Sequence, residues 1–115
     1  TLFNLKTPKV SFANSPPKEF KKILKMAKDF TEKNNSNFYF VYLPRFERYS
    51  IGQFDNDNYL KIISIVNDLN INFIDFKVVL ENEQKPLSYF PFGMWGHYNE
   101  DGYKLLAKTI IENLN

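Results

Sequence analysis

Apolar side chains recur at Phe20, Ile23, Leu24, Ala27 and Phe30. Steps of three and four residues predict an amphipathic helix over residues 18–33. Ser15, Pro16 and Pro17 supply its entry, because proline is tolerated in a first helical turn. Lys18, Lys21, Lys22, Lys25 and Lys28 occupy much of the remaining surface. They read as a solvated outer face, with an anionic membrane or partner surface as the sharper alternative. Asn34, Asn35, Ser36 and Asn37 stop the helix, and the period changes. Residues 38–44, FYFVYLP, are continuously apolar and aromatic over strand length. Continuous rather than alternating apolarity predicts a strand covered on both faces, as in a parallel sheet.

Residues 45–58 read as a polar, aromatic-rich loop. A second helix is expected over 59–69, with Tyr59, Ile62, Ile63, Val66 and Leu69 on one face. Residues 72–76, NFIDF, carry the β-branched and aromatic content of a second strand, and Asn70 stops the helix before it. Residues 77–96 look irregular apart from a turn of helix at 78–81. The last helix is expected over 100–113, its inner face formed by Tyr103, Leu106, Ala107, Ile110 and Leu114. The order is α-β-α-β-α, and two strands joined by a helix make a parallel crossover. Two parallel strands cannot cover their own faces and edges. Either a second copy pairs through a sheet edge, giving a homodimer, or residues 18–115 are the C-terminal part of a larger doubly wound α/β sheet. The second is favoured, and residues 1–17, broken by Pro8, Pro16 and Pro17, form an irregular lead-in or linker.

Composition narrows the chemistry. Fifteen basic residues against thirteen acidic ones leave a formal charge of +2, too balanced for nucleic acid as the main partner. There is no cysteine and one histidine, so disulfides, thiolate chemistry and a zinc site are not expected, and no cofactor is implied. No apolar run approaches the roughly 20 residues of a membrane span. The start, TLFNLKTPKV, lacks Met and any charged-then-apolar leader; the expectation is a chain cut from something longer, of unknown compartment.

The single histidine, His97, stands in GHYNEDGYKLLAKTI, residues 96–110. Asn99 is a good N-cap, worth about 1 kcal/mol. Glu100 and Asp101 sit where the helix dipole favours acids. Gly102 costs about 1 kcal/mol against Ala in a helix interior, which predicts a close neighbour. His97 is thus displayed on a loop anchored by a well-defined helix start.

A strand ending in Asp, a loop, and then this block resemble the C-terminal part of the SGNH (GDSL-type) hydrolases. His97, Asn99, Gly102, Leu106 and Ala107 match its layout of catalytic His, Asn, Gly and amphipathic final helix. The resemblance covers roughly residues 18–114. It implies a flavodoxin-like three-layer α/β/α fold, with FYFVYLP and NFIDF as its last two strands. It also implies a serine esterase or O-acyltransferase, with His97 as general base and the nucleophilic Ser outside this chain. The family's Gly-Asp-Ser turn is absent, and its catalytic Asp, three residues before the His, is here Met94. Asp75, at a strand's carboxyl end, is the candidate orienting acid. A Ser–His dyad or a backbone carbonyl as orienter stays open. The other reading is a non-catalytic α/β interaction module derived from the fold.

Two further stretches bear on a substrate. Arg45 and Arg48 follow the first strand, where an α/β sheet places its crevice, and are candidates for an ester or acyl-carbohydrate substrate. A surface loop with a local Glu47 pair is the plainer alternative. Tyr89, Phe90, Phe92 and Trp95 make a dense apolar loop that either walls an acyl or sugar pocket, with Trp95 as a substrate contact, or covers the sheet end.

Overall fold

The computed structural model of the chain describes residues 15–50, 56–93 and 96–114. Most of the expected lead-in, and Met94 and Trp95, lie outside them. Helix α1 spans Phe20–Lys33 and is followed by strand β1, Tyr39–Tyr42. A short α2, Glu47–Ser50, precedes α3, Asn56–Asp68. Strand β2, Asn72–Asp75, runs directly into α4, Phe76–Glu81. Two 3₁₀ turns, Pro86–Tyr89 and Pro91–Gly93, lead to α5, Glu100–Asn113.

The strands pair in parallel, with Phe40 opposite Phe73 and Tyr42 opposite Asp75. Alternation along each strand puts Phe40 and Phe73 on one side of the ribbon. Their rings stack at 6.0 Å, and Phe20 meets Phe40 edge-on. With Leu24, Val66 and Ile71 they form the core that joins α1 and α3 to the ribbon. A second core, Phe76, Leu80, Phe90 and Tyr98, is backed by Leu105 and Leu106 of α5. The chain turns sharply into each strand: Asn35 and Asn70 take left-handed φ values of 54° and 52°, which asparagine tolerates better than most side chains.

The expected flavodoxin-like, doubly wound, three-layer sheet is not formed. Among the described residues 62% are helical, and the sheet is two four-residue strands. The physical reason lies in the segments between. Part of the anticipated 45–58 loop becomes α2 and the start of α3. Phe76 leaves the strand as the first residue of α4, because the Asp75 side chain caps that helix by accepting from the Lys77 amide at 3.0 Å.

The inner face of α5 also differs from the expected set. Tyr103, Ala107 and Leu114 are exposed, while Gly102 and Thr109 are buried and Leu105 and Leu106 pack inward. The helix is rotated so that its smallest residue meets the core. A Cβ on Gly102 would lie 2.6 Å from the Tyr89 carbonyl oxygen and 2.8 Å from the Tyr98 Cβ. That contact is the close neighbour the glycine predicted, and only the bare Cα face of residue 102 can occupy it.

Candidate functional site

The site is built where β1 ends. Past Tyr42 the chain runs through Leu43, Pro44 and Arg45 into α2, and these residues form one wall of a cavity of about 350 Å³. The loop before α5 forms the opposite wall, with Gly96, His97 and Tyr98. Phe90 and Tyr103 complete the lining.

Four sets of bonds hold the histidine loop. Asn99 caps α5 by accepting from the Gly102 amide at 2.9 Å. Its amide nitrogen donates to the carbonyls of Ser88 at 2.8 Å and Phe90 at 3.2 Å, so the same side chain ties α5 to the preceding 3₁₀ turns. The Asn99 backbone N–H donates to Tyr89 O at 2.9 Å. Tyr98 then reaches across the cavity and donates its hydroxyl to the Pro44 carbonyl at 2.7 Å. Its ring packs on Phe90 and Phe76, with centroids at 5.1 and 5.5 Å. Burial pushes the Tyr98 hydroxyl's pKa up, with smaller effects from Tyr103 and Tyr42, so it stays a proton donor to Pro44. Gly96 has φ 148°, a conformation that favours glycine, and it turns the chain so that His97 stands out at the rim.

Tyr98 therefore sets the spacing between the two walls. Tyr98→Phe leaves the Pro44 carbonyl without its buried partner and is expected to cost about 1–2 kcal/mol. A lower urea midpoint at unchanged slope checks this; an unchanged midpoint would show that the tether carries no stability.

His97 is exposed at the lip of the cavity and makes no hydrogen bond or ion pair among the described residues. Arg45 lines the same cavity, where Glu47 accepts from its guanidinium at 3.4 Å. Glu47 is itself only 5% exposed, a buried carboxylate at the cavity wall. The remaining wall is apolar or aromatic: Leu43, Phe46, Phe90, Tyr98 and Tyr103. The arrangement offers one imidazole open to solvent, an arginine–glutamate pair beside it, and aromatic surface for a substrate's apolar face. No serine lines this cavity among the described residues.

Two sequence candidates lie elsewhere. Asp75 caps α4 and also accepts a hydrogen bond from the Tyr59 hydroxyl. Burial and this carboxylate push the Tyr59 hydroxyl's pKa up, so it remains the donor. Asp75 is not part of the cavity lining. Arg48 is buried, donating to Asn56 Oδ1 at 3.0 Å and to the Tyr42 hydroxyl at 3.3 Å, with its guanidinium over the Tyr59 ring. It braces β1 against α3. Trp95, the third substrate candidate, lies outside the described residues. Of the proposed site residues, the structure brings His97 and Arg45 together. Glu47, Tyr98 and Tyr103 complete the cavity and were not singled out by sequence; the available signal was their adjacency to the strand end and to His97.

Among the described residues there is no cluster of three His, Asp or Glu side chains able to hold a metal ion. Nor is any helix long and apolar enough to cross a membrane. Comparison with known proteins finds no matching family model, no similar curated protein and no similar solved structure.

Proposed function

We propose that the cavity is the base-bearing part of an acyl-transfer site of the SGNH type. His97 accepts a proton from a serine hydroxyl supplied by polypeptide outside these residues, as the hydroxyl attacks an ester carbonyl. The imidazolium then returns that proton to the leaving oxygen. The observation that carries it is the placement of the chain's one histidine: open to solvent, at the carboxyl end of β1, on the rim of an aromatic-walled cavity. The aromatic wall suits an ester or acyl-carbohydrate substrate, and Arg45 suits a polar or anionic group on it. The orienter of the imidazole in this reading is a backbone carbonyl or none, since Asp75 is engaged by Tyr59 and the Lys77 amide.

The test is hydrolysis of p-nitrophenyl acetate by the longest natural polypeptide that contains these residues. His97→Ala is expected to lower kcat by at least about a hundredfold with the melting temperature unchanged. Wild-type activity in that variant would reject the role.

The engagement of Asp75 favours a second reading, a non-catalytic interaction module. Such a module would pair two copies along an open edge of the two-stranded ribbon. It predicts no esterase activity in the same polypeptide and a dimer on sedimentation.

A further inference from the structure

Helix α1 carries an apolar ridge that the fold leaves open. Ile23, Met26 and Phe30 are 60%, 61% and 69% exposed, while Leu24 on the adjoining face is buried against Val66 and Ile71. Positions i, i+3 and i+7 align along one side of a helix, so the three side chains form a continuous ridge.

The lysines of α1 divide according to this ridge. Lys21 pairs with Asp68 at 3.6 Å, Lys25 with Asp29 at 2.8 Å and Lys28 with Glu32 at 3.6 Å. Lys28 also donates to the Leu69 carbonyl. These three lie toward α3 or on the polar side. Lys22 and Lys33 form no contact ion pair among the described residues. Both border the ridge: Lys22 is four residues before Met26, and Lys33 is three after Phe30. Among the acids near the ridge, Asp29 is drawn to Lys25, and Glu19 sits at the helix entry. The open apolar surface is therefore edged, among the described residues, by two lysines outside any contact ion pair, with Asp29, bonded to Lys25, also drawn at longer range to Lys33.

We propose that α1 lies flat on an anionic lipid surface, with Ile23, Met26 and Phe30 entering the headgroup–acyl boundary and Lys22 and Lys33 meeting lipid phosphates. Charge complementarity selects an anionic occupant. The ridge is convex, as a helix face is, and suits a deformable planar surface. An apolar face and flanking lysines are the two signals that interfacial binding combines. A helix held in this way lies on a bilayer and does not span it. The proposal is independent of the role of His97.

Flotation with vesicles tests it. The 115-residue protein is expected to float with vesicles of phosphatidylglycerol and phosphatidylcholine in equal parts, and to bind pure phosphatidylcholine about tenfold more weakly or less. Raising the salt is expected to release it in part, because lysine–phosphate attraction is screened. Phe30→Ser and the double variant Lys22→Gln/Lys33→Gln should each weaken binding several-fold with unchanged melting temperature, since these side chains are exposed. Four results would overturn the proposal. The protein fails to float, or it binds both vesicles equally. Phe30→Ser melts at a markedly lower temperature, showing that polypeptide covers the ridge. The protein sediments as a dimer that Phe30→Ser converts to monomer, making a second copy the occupant.

Discussion

Phe76→Ala is expected to lower the free energy of unfolding by about 3–5 kcal/mol, the cost of emptying a fully buried aromatic site. Phe76 has no exposed surface and belongs to the core with Leu80, Phe90 and Tyr98. Its ring meets Tyr98 edge-on at 5.5 Å, so the cavity left by alanine opens directly beneath the histidine loop. A small domain has only about 5–15 kcal/mol of stability in total. The variant is therefore expected to lose a large share of its urea midpoint, and His97 to lose its fixed place on the rim. A loss below about 1 kcal/mol would mean that this core is not packed as described.

Gly102→Ala is expected to destabilise by about 1–3 kcal/mol, although alanine is the better helix former. Propensity alone would gain about 1 kcal/mol in a helix interior. The new methyl, however, would sit 2.6 Å from the Tyr89 carbonyl oxygen and 2.8 Å from the Tyr98 Cβ. A backbone carbonyl cannot rotate out of the way as a long side chain can. Accommodation requires α5 to move off the 3₁₀ turns, which also strains the Asn99 bonds to Ser88 and Phe90. Thermal melting decides between the two effects. A higher melting temperature in the alanine variant would show that propensity wins and that the helix does not approach the turn this closely.

The major helices and both strands are legible in the sequence because each carries a clean period or a clear stop. Leu24 and Phe20 mark α1, the apolar run marks β1, and Asn99 with Glu100 and Asp101 marks the start of α5. The rotation of α5 is not legible. Hydrophobic spacing selects Tyr103, Ala107 and Leu114, but the helix is docked by a residue with no side chain, Gly102, and Thr109 turns inward, donating its hydroxyl to the Leu105 carbonyl at 2.8 Å. Neither contributes to an apolar pattern. The sheet's extent is misread for a related reason. Continuous apolarity at residues 38–44 suits a wide parallel sheet, yet four residues pair and helices take up the aromatic surface.

The placement of the candidate residues is legible in part. His97 stands on the end of the fold where the strand-end rule puts it, because a cap signal fixes the loop before α5. Two arginines three residues apart on one segment cannot be sorted by sequence. The short α2 turns Arg48 inward to Tyr42 and leaves Arg45 at the cavity. Asp75, the candidate orienting acid, accepts from the Lys77 amide as the cap of α4, a role that only the helix start after β2 reveals. Glu47 is hidden from sequence reasoning, since a charged residue next to an arginine looks like a solvated pair until its burial is seen.

The most direct test of the central claim is chemical rescue in the longest natural polypeptide that contains these residues. His97→Ala removes the imidazole from an exposed rim and leaves room for a free base at the same point. Added imidazole is expected to restore a substantial part of the lost esterase activity, in proportion to its concentration and beyond its own hydrolysis of the ester in buffer, and to raise the wild-type rate by no more than that background. An alanine variant as active as the wild type, or one that stays folded and inactive at every imidazole concentration, would contradict a proton-accepting role for His97.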